Sequence, residues 1–336
     1  MKKFTVAVVG ATGAVGQTML SILAERDFPI ETLHVLASER SAGRIEGRQI
    51  AVRDLATFDP AGVDFALFSA GGSISKEFAP KFAAAGAIVI DNSSAFRMDA
   101  DVPLVVSEVN PDALNTIPRG IVANPNCSTM QMLVAIAPIH RAVGISRINV
   151  ATYQSVSGAG RSALEELGRQ TANILSFKEP DPQRFPVQIA FNLIPHIDDF
   201  LDNGYTKEEM KLVWETRKIL GDESIMVNPT AVRVPVFYGH SEAVHLETRQ
   251  KITAAEARAL LEKAPGVVVV DERSPGGYPT PVTHASGTDA VYVGRIREDV
   301  SMANGLNLWV VSDNIRKGAA LNAVQIAELL ARKRSV

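Results

Sequence analysis

The stretch FTVAVVGATGAVG, residues 4–16, decides the fold of this chain. Its first six residues are mostly apolar and rich in valine, which predicts a buried strand over Phe4 to Val9. Glycines follow at 10, 13 and 16, and apolar residues at 19, 20, 22 and 23 have the spacing of a helix, which we expect from Thr18 to Arg26. A strand, a glycine turn and a helix in this order present backbone N–H groups to a pyrophosphate. Thr12 replaces one glycine of the usual G-x-G-x-x-G pattern, and the alternative is an ordinary tight turn.

Further apolar runs extend this first unit. They lie at 32–37, 64–69 and 87–91, with a helical segment from about 72 to 85 between the last two, and a short strand precedes the turn before position 127. Strands that alternate with helices at this spacing indicate a parallel, doubly wound sheet. We therefore predict an α/β, Rossmann-like cofactor domain whose ligands collect at the carboxyl ends of its strands.

The residues after the second strand bear on the choice of cofactor. An NAD-specific site has a carboxylate at this strand end, which binds the ribose 2′-hydroxyl. Here the chain continues with Ser38, Glu39, Arg40 and Ser41. Two hydroxyls and a guanidinium suit a 2′-phosphate, although Glu39 favours the competing interpretation. We predict NADP.

The segment ANPNCST, residues 123–129, holds the only cysteine of the chain. A turn precedes Cys127 and an apolar helix follows it, so the thiol is expected at a helix N-terminus, where thiolate is favoured. The alternative is an inert core cysteine, but the neighbouring asparagine, serine and threonine side chains are polar. We interpret Cys127 as a nucleophile.

The second half of the chain has a different pattern. A strand at 148–154 leads into a glycine-rich turn at 155–160 and a helix from Arg161 to Leu175; residues 176–198 are rich in proline and predict an irregular loop. A charged helix from Lys207 to Leu220 follows. Strands at 225–236, 242–251, 266–270, 290–297 and 306–312 predict a second, mostly antiparallel sheet. The last segment, 313–331, predicts an amphipathic helix capped by Asp313 or Asn314.

Length and composition set further limits. With 336 residues, the chain is long enough for two domains. A net charge of −3 gives no reason to expect a nucleic-acid partner, and no apolar run reaches the length of a membrane span. One cysteine excludes an internal disulfide framework, and we find no metal-binding motif. We expect a cytoplasmic protein that has no metal site and binds no membrane.

An activated cysteine beside a nicotinamide dinucleotide restricts the chemistry. Thiolate attack on an aldehyde gives a thiohemiacetal, and hydride transfer from it leaves an acyl-thioester that water or phosphate can cleave. Such a site needs a base. Among the six histidines, His240 follows a glycine at a break between two strands, which favours a position in a cleft. The other five have no comparable setting and are expected to be structural.

Several motifs together resemble one family. They are the N-terminal GATGAVG, NPNCST around Cys127, Gln154 with SGAG at 157–160, RVPV at 233–236, and Gly239-His240. In this order, across essentially the whole chain, they are similar to the aspartate-semialdehyde dehydrogenases. The resemblance implies reversible, NADPH-dependent reduction of L-aspartyl 4-phosphate to L-aspartate 4-semialdehyde with release of inorganic phosphate, on the route to lysine, threonine and methionine.

The resemblance also implies roles for individual residues. Cys127 would form the acyl-enzyme, His240 would act as acid and base, and Gln154 would orient the acyl group. Arg233 would bind the substrate α-carboxylate, and Glu208 the α-ammonium.

Phosphate and cofactor contacts follow in the same way. Phosphate would be held by Arg97 and Lys211, with Asn92 or Asn126 nearby. From the sequence alone, Arg97 could be a solvated loop residue, and Lys211, three residues after Glu208, could form a surface ion pair. The residues implied to contact NADP are Gly10, Thr12, Gly13, Ala14, Val15, Ser38, Arg40, Ser41, Ser157, Gly158 and Asn314.

The resemblance implies two domains and a homodimer. Residues 1–126 and 313–336 would form the NADP-binding domain, to which the last helix returns. Residues 127–312 would form an α+β catalytic and dimerisation domain. Three alternatives remain: an N-acetyl-glutamyl-phosphate reductase, a catalytically silent dinucleotide-binding relative, and a cysteine hydrolase, which would leave the glycine turn unexplained.

Overall fold

The computed structural model describes residues 2–38 and 51–334. These residues fall into two compact units, one drawn from Met1–Asn126 and Ala319–Val336 and the other formed by Cys127–Gly318. The predicted boundary at 313 lies six residues earlier than the observed one. The reason is that Asn314 hydrogen-bonds to Ser155, Ser157 and Gly239, all of which belong to the second unit.

The first unit is built on a six-stranded parallel sheet with the order β3-β2-β1-β4-β5-β6. Its strands are β1 (Phe4–Val9), β2 (Ile30–Ala37), β3 (Val52–Asp54), β4 (Phe65–Phe68), β5 (Ile88–Asp91) and β6 (Ile121–Ala123). Its first helices are α1 (Ala14–Glu25) and α2 (Gly72–Ala84). The chain reverses strand order on either side of β1, which confirms the doubly wound fold.

Close packing in the first unit depends on glycine. A Cβ on Gly16 would lie 2.3 Å from the carbonyl oxygen of Gly10 and 2.6 Å from Ala11 Cα, so α1 can approach the end of β1 only without a side chain there. The helix α1 begins at Ala14, four residues earlier than the helix we predicted from Thr18.

The second unit contains a mixed sheet with the order β10-β11-β12-β9-β7-β8. Its strands are β7 (Ile145–Gln154), β8 (Met226–Arg233), β9 (His240–Thr248), β10 (Val267–Val269), β11 (Val291–Glu298) and β12 (Gly305–Ser312). Its helices are α3 (Cys127–Val143), α4 (Arg161–Leu175), α5 (Lys207–Leu220) and α6 (Ala254–Leu261). Three of the five junctions are antiparallel, so the mostly antiparallel sheet is confirmed.

Two helical regions differ from the prediction. The sequence interpretation missed α6, whose start is marked by a capping box between Thr253 and Glu256. The last helix is not uniform: a π-helical turn over Arg316–Leu321 precedes α7 (Asn322–Arg334). Asp313 Oδ1 accepts from the backbone N–H groups of residues 315 and 316, so it caps this turn as predicted. Among the described residues, no helix is both long and apolar enough to cross a bilayer.

Candidate active site

Cys127 is the first residue of α3, where the helix N-terminus favours thiolate. The side chain is partly exposed. Gly318 packs directly against it, since a Cβ on this glycine would lie 2.7 Å from Cys127 Cβ. No motif in the sequence indicated that position 318 lies beside the thiol.

Gln154 and Arg233 leave the sheet side by side. They are the last residues of β7 and β8 and are register partners in a parallel pair. Arg233 is buried, and its Nη1 donates to Ser155 O at 2.7 Å. Burial lowers the pKa of Arg233, while the carboxylate of Glu208 and the thiolate of Cys127 oppose that change. These charges therefore lie close enough to interact.

Glu208 links Gln154 to Lys211. It lies in the first turn of α5 and is buried; its Oε1 accepts from Gln154 Nε2 at 3.2 Å and its Oε2 from Lys211 Nζ at 2.9 Å. Lys211 also donates to Asp198 at 2.8 Å. Burial would lower the pKa of Lys211, but the two carboxylates outweigh it and raise that pKa. Asp198, from the irregular loop, was not predicted.

His240 is the first residue of β9 and is fully buried. Its Nδ1 accepts from the backbone N–H of Ser155 at 3.1 Å, so in the neutral ring the proton is on Nε2. Burial, and then the charge of Arg233, lower the pKa of His240 to about 3. The ring is therefore a neutral donor through Nε2, which is buried and has no hydrogen-bond partner among the described residues.

Gly158 leaves room between these two groups. A Cβ at this position would lie 3.0 Å from Arg233 Nη1 and 3.3 Å from both Nε2 and Cε1 of His240. Gly239 makes the turn before His240, with φ +88° and Pro281 so close that a Cβ would lie 2.8 Å from its Cβ. Only glycine fits that turn.

Asn314 organises the backbone around His240. Its Oδ1 accepts from the hydroxyls of Ser155 and Ser157 and from Gly239 N–H, at 3.0, 3.1 and 3.0 Å. Its Nδ2 donates to Ser157 Oγ at 3.0 Å. The structure thus gives Asn314 and Ser157 contacts within the second unit that their implied role at the cofactor did not predict.

The first unit presents a cleft of about 520 Å³ at the carboxyl ends of β1, β2 and β4. It is lined by Gly10, Thr12, Gly13, Ala37, Ser38, Asp54, Leu55, Ala56, Ser69, Ala70, Ile74 and Phe78. Gly10 has φ +81°, and a Cβ there would lie 2.8 Å from Ala70 N. A dinucleotide fits this cleft, because a glycine cradle and a helix N-terminus face it. Asp54 to Ala56 and Phe78 were missed, while Arg40 and Ser41 lie outside the described residues.

Arg97 is also in the first unit and is buried. Its Nε donates to Asn124 O at 2.9 Å and its Nη2 to Asn92 O at 2.8 Å, so it is not a solvated loop residue. The amide of Asn124 donates to Asn92 Oδ1. Asn92 Nδ2 is buried and has no partner among the described residues, and Asn126 is buried as well.

Known proteins resemble the whole chain. Residues 5–117 match a family model described as semialdehyde dehydrogenase, NAD binding domain, and residues 136–317 one described as semialdehyde dehydrogenase, dimerisation domain. An aspartate-semialdehyde dehydrogenase of Legionella pneumophila is 61% identical over 99% of this chain and 97% of its own length.

Solved structures agree with these matches. A structure described as aspartate semialdehyde dehydrogenase II complexed with ASA, from Vibrio cholerae, is 57% identical with a TM-score of 0.96 and covers 99% of both chains. An aspartate semialdehyde dehydrogenase with NADP from Candida albicans is 25% identical with a TM-score of 0.78, covering 100% of both chains.

Proposed function

The chain belongs to the aspartate-semialdehyde dehydrogenase family, and from that premise we propose that it catalyses the reversible, NADP-dependent reductive dephosphorylation of L-aspartyl 4-phosphate to L-aspartate 4-semialdehyde. The observation that carries the proposal is the placement of Cys127, Gln154, Arg233 and His240 around one group of contacts in the second unit. The product would serve lysine, threonine and methionine biosynthesis. Because a thiolate must stay reduced, we place the enzyme in the cytoplasm.

Cys127 is the proposed nucleophile. Its sulfur attacks the carbonyl carbon of the acyl phosphate, a C–S bond forms, and the C–O bond to phosphate breaks, leaving a thioester on Cys127. In the reverse direction the same sulfur adds to the aldehyde carbon. The helix N-terminus and the charge of Arg233 both favour the thiolate that these steps need.

His240 would act on the oxygen of the acyl carbon. With Nδ1 occupied by the Ser155 N–H, the Nε2–H is the side of the ring that can donate to an oxyanion. To take the proton of the thiohemiacetal hydroxyl in aldehyde oxidation, the ring would adopt its other tautomer, in which Nδ1–H donates to Ser155 Oγ and Nε2 is the base; in reduction the protonated ring would return that proton through Nε2.

Arg233 and Glu208 would recognise the amino-acid end of the substrate. The guanidinium suits the α-carboxylate and the carboxylate suits the α-ammonium. Glu208 is already held by Gln154 and Lys211, which fixes its position before substrate binds. An acylated amine carries no charge to pair with Glu208, whereas a free α-ammonium does, so Glu208 favours aspartyl phosphate over N-acetyl-glutamyl phosphate.

Arg97, Lys211, Asn92 and Asn126 remain the proposed phosphate ligands. The unpartnered Nδ2 of Asn92 supports this role, since an anion would satisfy a buried donor. Lys211 has three N–H donors and uses two of them on Asp198 and Glu208, so phosphate would take the third.

The cofactor is proposed to be NADP. When bound in this cleft, the reduced cofactor would supply the hydride that the acyl carbon accepts. Gly10, Thr12 to Val15 and Ser38 would hold it in the cleft of the first unit, with Arg40 and Ser41 on the 2′-phosphate. Ser157, Gly158 and Asn314 stay predictions as cofactor contacts.

A homodimer is proposed from the open face of the second sheet. Side chains alternate along a strand, so Tyr153, Ala243 and Trp309 lie on the face opposite Gln154 and His240. All three are partly exposed, and the two rings lie 5.6 Å apart. Light scattering that gives only a 36.1 kDa species would refute the dimer.

The function is tested by absorbance of reduced nicotinamide with aspartate semialdehyde, NADP and phosphate, omitting each in turn. We expect all three to be required and NADP to be preferred over NAD at equal concentration. Mass spectrometry after mixing with the acyl donor should find the adduct on Cys127. Phosphate-independent hydrolysis, or faster turnover of the N-acetyl-glutamyl substrate, would overturn the proposal.

A further inference from the structure

Glu242 is a buried acidic residue that the proposed mechanism does not use. It is the third residue of β9 and is fully buried. Neither of its carboxyl oxygens has a hydrogen-bond partner among the residues that the structure describes. An ionised carboxylate in such a place would cost several kcal/mol, so this position calls for an explanation.

Glu242 adjoins residues that position the active site. It lies on the same face of β9 as His240, two residues further on. Thr152 is its register partner on β7, and Thr152 Oγ1 accepts from Gln154 Nε2 at 3.3 Å. Gln131 lies one helical turn after Cys127, and its Nε2 donates to His240 O at 3.4 Å.

The protonation state of Glu242 follows from its surroundings. Burial raises the pKa of Glu242 well above its usual range, and the Gln131 amide opposes this rise only in part. A neutral carboxyl group has an O–H donor, which a carboxylate lacks. Two acceptors on this side of the sheet have no partner among the described residues: Oε1 of Gln131 and Oγ of Ser312, the register partner of His240 on β12. A protonated Glu242 could satisfy one of them directly or through a buried water.

We propose that Glu242 is a positioning residue whose protonated carboxyl group donates a hydrogen bond to the Gln131 amide, and so fixes the Gln131 contact that holds the backbone of His240. The inference rests on the proposed function. A neutral carboxyl group suits this role, because the amide oxygen of Gln131 needs a hydrogen-bond donor and no charge. On the neighbouring strand, Thr152 holds Gln154 in a similar way, because its hydroxyl accepts a hydrogen bond from the Gln154 amide.

The test compares two variants of Glu242. Glu242→Gln keeps a neutral donor of the same shape, and we expect its kcat to stay within about threefold of the parent. Glu242→Leu fills the same buried space but leaves Gln131 Oε1 without the proposed donor, so it should fold with a modestly lower Tm. It should lower kcat by about tenfold or more while the KM for aspartate semialdehyde changes less than about twofold. In Glu242→Leu, iodoacetamide should alkylate Cys127 more slowly than in the parent, by about threefold or more.

Two controls separate positioning from general packing. Val244→Ala, on the same face of β9 and fully buried, should lower Tm without lowering kcat. Infrared spectra of the parent should contain the carbonyl band of a protonated carboxylic acid that Glu242→Gln lacks. The inference fails if Glu242→Leu keeps the parental kcat, if Glu242→Gln loses as much as Glu242→Leu, or if that band is missing. A parent without dehydrogenase activity would refute the proposed function instead, and the infrared and alkylation measurements would still decide the role of Glu242.

Discussion

Replacing Gly158 by alanine tests the substrate pocket directly. The added Cβ would lie 3.0 Å from Arg233 Nη1 and 3.3 Å from His240 Nε2. Neither neighbour is free to retreat, because Arg233 Nη1 donates to Ser155 O and His240 Nδ1 accepts from Ser155 N. The methyl group therefore displaces the two side chains or occupies the space between them.

The expected loss of activity follows from the hydrogen bond that Arg233 would lose to the substrate carboxylate. A hydrogen bond of a charged donor such as Arg233 is worth about 1.5–3 kcal/mol. If the displaced guanidinium loses that much in its contact with the substrate carboxylate, kcat/KM for aspartate semialdehyde falls about 10- to 150-fold. We expect the KM for aspartate semialdehyde to rise by a larger factor than the Kd of NADPH, which the predicted cofactor contact of Gly158 also affects.

The assay combines initial rates of NADPH formation with a fluorescence titration of NADPH binding. Gly168→Ala is the matched control, since it lies in α4 and a Cβ there would meet nothing within 4 Å. It should leave every constant unchanged. If Gly158→Ala weakens cofactor binding and leaves the KM for aspartate semialdehyde unchanged, then Gly158 serves the dinucleotide and our reading of the pocket is refuted.

Three further predictions concern the charged groups and the thiol. Cys127→Ala should lower kcat by far more than tenfold in the same rate assay, and a loss below tenfold, under about 1.4 kcal/mol, would exclude covalent catalysis. Arg233→Leu should chiefly raise the KM for aspartate semialdehyde and Arg97→Leu the KM for phosphate; swapped effects would reverse our division of the anion sites. Burial, and then Arg233, lower the pKa of His240 to about 3, whereas an unfolded histidine titrates near about 6.5. Between about pH 3 and about pH 6.5, the unfolded chain binds a proton at this histidine that the folded chain does not bind. The free energy of unfolding therefore falls by ~1.4 kcal/mol per pH unit as the pH falls through this window. Urea unfolding of His240→Gln should therefore depend less on pH in this window, and an equal dependence would contradict the buried neutral ring.

Local signals in the sequence determined much of the fold. The strand Phe4–Val9 and the helices Arg161–Leu175 and Lys207–Leu220 have the predicted bounds. Their ends are marked by neighbouring residues, such as the capping box of Thr206 and the left-handed Gly221 at the two ends of α5. The same kind of signal placed Cys127 at the first residue of a helix.

Other features of the site depend on residues far apart in the chain. Gly318 lies against Cys127, and Asn314 gathers Ser155, Ser157 and Gly239, although 75 or more positions separate it from each of them. No periodicity or local motif records such contacts. They depend on the pairing of β7, β9 and β12 and on the packing of the segment that follows β12, because folding brings distant residues next to one another.

Residue types and their order were thus enough to indicate the parallel sheet, the glycine turn and a reactive cysteine. The tertiary structure alone decided which ring nitrogen of His240 carries the proton, how Glu208 is held, and that the carboxyl oxygens of Glu242 are buried with no hydrogen-bond partner in the described part of the chain. Local sequence patterns depend only on residues that are close together in the chain. Burial and electrostatic environment depend on the strands and helices that folding packs around it, so those properties of the site appear only with the assembled sheet.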